Sequence, residues 1–169
     1  MKKLVLALAA ALVLAAACAG PRDADSQYAK DLIKKGNPIP EFTLNSLDSV
    51  TFTRETLAGE YAVLDFWATW CPDCRADIPA MKELYEKYGE KARFVGISFD
   101  TDRDALVNFV AENGISWVQL SDFVSKKEST VGEAFHVKWI PSVYLVDPEG
   151  KVVLGTVMVD KLRAALEKL

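Results

Sequence analysis

The sequence predicts one α/β domain, a mixed sheet with helices on both faces, and three patterns carry that reading. The near-continuous apolar runs "YAVLDFW" (61–67) and "ARFVGISF" (92–99) have the length and composition of strands buried on both faces. Each is followed by a segment with apolar residues at helical spacing, as parallel strands joined by crossovers require. At the two ends, apolar and polar residues alternate around turn-forming stretches in "FTLNSLDSVTFTRETLAG" (42–59) and "SVYLVDPEGKVVLGTV" (142–157), which marks hairpins. The expected order is a β-hairpin, then βαβαβα, then ββα.

Before that domain, "MKKLVLALAAALVLAAACAG" has Lys2 and Lys3, an unbroken apolar run from Leu4 to Ala17, and then small residues. This is the three-part pattern of a secretory signal, and the run is short for a transmembrane helix. "LAAAC" resembles the lipobox of bacterial lipoproteins, in which the Cys after the small residues, here Cys18, is lipidated and becomes the mature N-terminus. Ala15 stands where that pattern usually has Leu. Cleavage after Ala15-Ala16-Ala17, leaving Cys18 as a free thiol, is the alternative. A di- or triacylated Cys18 would anchor the chain firmly to a membrane. The organisation read from sequence is a signal peptide at 1–17, a tether at 18–36 of mostly small or charged residues, and a folded domain at 37–169.

Within the domain, "CRADIPAMKELYEKYG" places Ile78, Met81, Leu84, Tyr85 and Tyr88 at helical spacing and stops at Gly89. Thr101 with Asp104 reads as the cap of a helix over "ALVNFVAENG", closed by Asn113-Gly114. "SWVQL" reads as a short strand, residues 126 to 137 as a helix, and "DKLRAALEKL" as a last helix capped by Asp160. Without the two leader lysines, 18 Lys and Arg stand against 24 Asp and Glu, a net charge of −6. With no run of like charge, neither a nucleic-acid surface nor a polybasic membrane patch is expected.

Chemistry concentrates in "DFWATWCPDCRADIP" (65–79), which holds two of the three cysteines. A Cys-x-x-Cys pair that follows a buried strand and opens a helix is a specific signal. At a helix start, free backbone N–H groups and the dipole favour an anion, so the first thiol ionises more readily. Cys71 is therefore the natural nucleophile, and Cys74, one turn deeper, is placed to resolve a mixed disulfide. A structural staple closing so short a loop would restrain the unfolded chain little. A zinc site would need two further ligands, and only Cys18 and His136 remain as soft or imidazole ligands. No cofactor and no metal are expected. The charge of Asp73 beside Cys71 opposes ionisation and favours a reducing couple.

The residues around the pair carry a resemblance. "VLDFWATWCPDC" resembles the active-site strand and helix start of thioredoxins, with Asp65 at the place of their buried carboxylate and Pro79 at that of their helix kink. "WIPSVYLVD" puts Pro141 at the family's cis-proline. The opening hairpin and the inserted "DTDRDALVNFVAENGISWVQL" resemble the TlpA/ResA-like group of exported thiol-disulfide oxidoreductases, members of the thioredoxin superfamily related to AhpC/TSA proteins. The likeness covers residues 37 to 169. It implies a thioredoxin-like fold with an N-terminal β-hairpin and a βα-type insertion, and reduction of protein disulfides outside the cytoplasm.

By the same resemblance, Asp65, its pKa raised by burial, takes the proton of Cys74 through water, and the Ile140 backbone before a cis Pro141 pairs with an extended substrate segment. Trp70 and Trp139 line the substrate groove, whereas Trp67 belongs to the core. Implied partners are a transmembrane thiol donor of the DsbD or CcdA kind and exported substrate proteins, apocytochrome c among them. Two positions depart from the pattern: Ile140 stands where thioredoxins have Thr, and Asp65 where TlpA-like members often have Asn. The single histidine, His136, reads as a surface helix residue.

Two other functions share parts of this signal. A thiol peroxidase of the peroxiredoxin type would need Pro and a small hydroxyl residue in P-x-x-x-T/S-x-x-C, and Leu64 and Ala68 both fail that pattern. A copper-binding module of the Sco type would have one more residue between its cysteines and a later His ligand better placed than His136.

Overall fold

A computed structural model describes residues 23–169; the signal peptide expected at 1–17 and the lipidation expected at Cys18 lie outside the described residues. Seven strands form one sheet: β1 (Thr43–Ser46), β2 (Thr51–Thr53), β3 (Tyr61–Trp67), β4 (Ala92–Ser98), β5 (Val118–Ser121), β6 (Ser142–Val146) and β7 (Val152–Thr156). They lie in the order β2-β1-β5-β4-β3-β6-β7. β3, β4 and β5 run parallel, while the remaining neighbours pair antiparallel. Among the described residues, five α-helices flank the sheet: α1 (Ala24–Tyr28), α2 (Pro72–Tyr88), α3 (Arg103–Glu112), α4 (Thr130–Ala134) and α5 (Val159–Leu166). The apolar runs 61–67 and 92–98 form β3 and β4, and both hairpins form where alternation placed them.

This order decides where the chemistry sits. β3 lies between parallel β4 and antiparallel β6, with Phe66 opposite Ser142. The loop that leaves the end of β3 and the loop that enters the start of β6 therefore emerge side by side. Beneath them, Phe66, Phe99, Phe135 and Tyr144 form an aromatic cluster with ring centroids 5.1 to 6.1 Å apart. Edge and offset arrangements at such spacings add stabilisation beyond the area buried.

Four elements differ from the sequence reading. Residues 23–36, read as part of a tether, lie against the domain. Leu32 is buried, the Asp25 carboxylate accepts from Val157 N (2.8 Å) and Thr156 Oγ1 (2.8 Å), and Ile33 N donates to Tyr144 Oη (3.0 Å). Gly36 N donates to Val152 O and Ile39 N to Gly150 O, so this strap covers the outer edge of β7.

The cap of α3 is Asp102, whose carboxylate accepts from the amides of Asp104 and Ala105, and not Thr101. Only Thr130–Ala134 of the expected 126–137 helix is helical. Gly132 presses on the Phe99 ring, and His136 takes a left-handed φ of 56° that ends the helix. α5 begins one residue before Asp160, at Val159. Its N-cap residue is Met158, and Asp160 sits in the first turn, where a carboxylate complements the helix dipole.

Gly96 shows how tightly the sheet is filled beside the site. It pairs with Asp65 on β3 and Gln119 on β5, and a Cβ there would fall 2.1 Å from Gln119 Oε1. That oxygen accepts from Trp67 Nε1 (2.9 Å), while Gln119 Nε2 donates to Trp117 O (3.1 Å). Gly96→Ala should displace the amide and strand the indole N–H, costing about 2 kcal/mol. A melting temperature lowered by roughly 4–8 °C would express that loss; an unchanged one would show that the amide relocates freely.

Candidate active site

Helix α2 opens at the dithiol. Cys71 is its N-cap residue, with extended backbone and its side chain accepting from Cys74 N at 3.3 Å. Pro72 follows at the first helical position, where its missing N–H costs nothing and its fixed φ suits the helix. The Cys71 thiol donates to the Ile140 carbonyl at 3.7 Å. That carbonyl precedes Pro141 across a cis peptide bond. The sulfur of Cys71 is thus held between the two loops that the strand order brings together. Both cysteines are free and buried.

Three carboxylates stand near the pair. Asp65, in the apolar run of β3, is 9 % exposed. Burial pushes its carboxyl up to about 7, and the charge of Asp77 adds to the rise. Asp77 is itself raised, first by desolvation and then by Asp73 and Asp160. Burial also raises the Cys74 thiol, helped by its hydrogen bond with Cys71 and by the negative charges of Cys71 and Asp65. Cys74 therefore holds its proton firmly, and it senses the charge of Asp65.

A fourth carboxylate shapes the loop. Asp100, buried after β4, accepts from Thr69 N (3.0 Å), Thr69 Oγ1 (2.6 Å) and Ser98 Oγ (2.7 Å), fixing the backbone just before Trp70 and Cys71.

Around the sulfur lies an open cavity of about 400 Å³, lined by Trp70, Cys71, Pro72, Asp73, Lys126, Lys138, Trp139 and Ile140. Among the described residues, Trp70 (57 %) and Trp139 (40 %) are two of the three exposed large apolar side chains. Lys126 Nζ donates to Lys138 O at 3.1 Å and braces the far wall. Trp67 is buried and bonded to Gln119, a core residue. His136 is exposed and lines a separate cavity with Asn37, Pro38 and Arg54. Among the described residues, no three His, Cys, Asp or Glu side chains are grouped to hold a metal ion.

Of the residues singled out in the sequence, the structure brings Cys71, Cys74, Trp70, Trp139 and Ile140 to one place, with Asp65 near enough for its charge to act on Cys74. Asp77, Asp100, Lys126 and Lys138 escaped that reading. Asp77 had a usable signal, because three residues after Cys74 is the same helix face. Asp100 had none, since its partner Thr69 is 31 residues away.

A vicinal dithiol at a helix start, facing a carbonyl across an open groove on a sheet of this topology, defines a class: the dithiol oxidoreductases with a thioredoxin-like fold. Residues 35–154 match the AhpC/TSA family, and the chain belongs to it. It is 31 % identical over 144 residues to the thiol-disulfide oxidoreductase ResA of Bacillus thuringiensis (strain Al Hakam), covering 83 % of this chain and 81 % of that protein.

Among solved structures, it is similar to a thiol-disulfide oxidoreductase from Bacteroides fragilis NCTC 9343, with a TM-score of 0.72 and 26 % identity. That match covers 78 % of this chain and 98 % of the other. It is also similar to a secreted disulfide oxidoreductase of Mycobacterium tuberculosis described as homologous to E. coli DsbE, with a TM-score of 0.65 and 25 % identity, over 76 % and 96 % of the two chains. The protein is a thiol-disulfide oxidoreductase acting on protein disulfides through a CxxC pair.

The raised Asp65 has a consequence for stability. Its carboxyl keeps a proton in the folded state between pH 3.8 and about 7 that the unfolded chain gives up, so stability falls as pH rises through that window. Asp65→Asn removes this loss. Urea unfolding at pH 4 and pH 8 should show the variant gaining on the parent by an amount on the order of 2–4 kcal/mol. A pH-independent difference would mean that the carboxyl is not held protonated.

Proposed function

We propose that this protein is an extracytoplasmic protein-disulfide reductase, held at a membrane by lipid on Cys18, with Cys71 as nucleophile and Cys74 as resolving thiol. The observation that carries the reading is the Cys71 sulfur, capped by one helix N–H and facing the Ile140 carbonyl in a groove walled by two exposed tryptophans. The Cys71 thiolate attacks one sulfur of a substrate disulfide, and the other substrate sulfur leaves and takes up a proton. Asp65 accepts the proton of Cys74, and Cys74 then attacks Cys71 Sγ. The substrate departs with both thiols reduced, and Cys71 and Cys74 are left as a disulfide. The substrate's extended segment lies along Trp70, Trp139 and the backbone of Ile140 and Pro141.

The reducing direction is supported by charge. Strong oxidants of this chemistry owe their potential to a stabilised reduced form. Here the charge of Asp65 on β3 opposes ionisation of Cys74, which disfavours an ionised reduced pair. Electrons then have to return from outside the chain, and a transmembrane thiol donor of the DsbD or CcdA kind fits that need. Exported proteins with disulfides, including apocytochrome c, are the substrate class.

The leader pattern and the likeness to a secreted mycobacterial disulfide oxidoreductase support the location. No helix among the described residues is long and apolar enough to cross a membrane. Four residues lie between Cys18 and Asp23, and the five residue steps span at most roughly 18 Å of extended chain. A lipid at Cys18 would hold the domain close to the bilayer, within reach of a membrane-embedded donor.

Cys71→Ser should abolish reduction of insulin disulfides, and Cys74→Ser should accumulate mixed disulfides with the physiological partner. Activity surviving in the Cys71 variant would refute the assigned nucleophile. In the same assay Asp65→Asn should slow resolution of the mixed disulfide at pH 7, and an unchanged rate would leave Asp65 a packing residue.

The direction rests on the reduction potential of the pair, titrated against glutathione and dithiothreitol. A value near or below that of thioredoxin, about −270 mV, supports a reductase; one near −120 mV makes the protein a disulfide donor.

A further inference from the structure

We propose that the N-terminal strap, residues 23–33, is a wall of the substrate groove, with Tyr28 the positioning residue that holds Trp139. This rests on reading the cavity beside Cys71 as the place where substrate lies. The Tyr28 and Trp139 rings are stacked, with centroids 4.3 Å apart and an interplanar angle of 24°. Trp139 stands on the loop that delivers the Ile140 carbonyl to Cys71. Its own carbonyl is fixed by Ser142 Oγ at 2.7 Å, which leaves the indole to be placed by what it touches. With one face against Tyr28, the ring is presented to the cavity it shares with Trp70 and Cys71.

The strap is anchored on both sides of Tyr28. Three residues before it, the Asp25 carboxylate accepts from Val157 N, Thr156 Oγ1 and Lys161 Nζ at 2.8 Å each, and Asp23 bonds Lys161 as well. After it, Ala29 and Leu32 are buried and Ile33 N reaches the Tyr144 hydroxyl. That hydroxyl donates in turn to Phe135 O (2.6 Å), in the turn that leads to Trp139. A ring recruited only for packing would be expected to bury its partner. Here Trp139 keeps 40 % exposure, which leaves an aromatic surface at the mouth of the groove.

None of the strap's anchors touches the dithiol, so the device acts on what the groove holds and not on sulfur chemistry. An extended protein segment crossing the groove meets the Trp139 wall, whereas a small disulfide needs only Cys71. The strap also follows directly on the chain that leads to Cys18, so the segment nearest any membrane anchor shapes the binding wall.

The test compares steady-state reduction of insulin with that of hydroxyethyl disulfide, using the full chain with dithiothreitol as electron source. Tyr28→Ala should raise KM for insulin about three- to tenfold, the loss expected for one aromatic pair. Turnover of hydroxyethyl disulfide and the reduction potential should stay unchanged. Tyr28→Phe keeps the ring and should restore the parent KM. Asp25→Ala frees the strap at a different point and should move KM in the same direction as Tyr28→Ala.

Trp139→Ala separates the two readings. If it raises the insulin KM while Tyr28→Ala does not, the strap is not a wall and the groove reading stands. If neither raises it, substrate does not lie along Trp139 and both fail. Equal losses with both disulfides, or a shifted potential, would make Tyr28 a general structural residue and overturn the proposal.

Discussion

The contact on which the rest depends is the two-sided hold on one sulfur atom. Cys71 Sγ accepts from the amide of Cys74 and donates to the carbonyl of Ile140, so it joins the start of α2 to the loop before β6. Neither loop could reach the other unless their strands were neighbours. β3 occupies the position between parallel β4 and antiparallel β6, which brings the end of one strand beside the beginning of the next. The fully buried strands around it follow from that requirement. A central strand with helices on its faces must be apolar at nearly every position, and "YAVLDFW" is apolar at every position except Asp65.

That exception is instructive. A carboxyl in the core is costly when charged, and it lowers the cost by holding its proton. The same desolvation that raises Asp65 raises Cys74, and the charge of Asp65 adds to the rise at Cys74. The result is a pair of acids of which only one can readily be ionised at a time. This suits a site that must move one proton off a buried thiol and later return it. Asp77 strengthens the effect from α2, while Asp100 spends its charge on hydrogen bonds to Thr69 and Ser98 and serves the backbone. Neighbouring carboxylates thus do different work because their partners differ.

Much of this was legible in the sequence, for reasons that can be named. Strands buried on both faces and hairpins have local signatures, and so does a dithiol after a strand. Asp65 was legible through the likeness of "VLDFWATWCPDC" to the thioredoxin active-site strand, which keeps a buried carboxylate at that place. What escaped depends on contacts distant in sequence. Thr101 and Asp102 are both good cap residues, and only the backbone path out of β4 selects Asp102. α4 stops early because His136 turns left-handed, while Gly132 lies against Phe99, a ring 33 positions away. In the strap, Tyr28, Ala29, Leu32 and Ile33 are spaced four apart in pairs, a weak amphipathic signal amid charged residues. Too few apolar residues were present to outweigh the composition of a tether.

The strap changes what the N-terminal region means for the enzyme. A flexible tether would let the domain rotate freely and present its groove in any direction. Residues 23–33 are instead fixed to β7, α5 and the Tyr144 hydroxyl, so orientation is constrained from Asp23 onward. A short chain before Asp23 therefore constrains the groove as well as the domain, because the same strap that ends near Asp23 carries Tyr28 against Trp139. With the proposed lipid at Cys18, attachment and substrate binding would be linked through one segment. On the proposed reading, in which electrons come from a membrane donor and pass to an extended protein segment, both encounters would use the exposed face around Cys71.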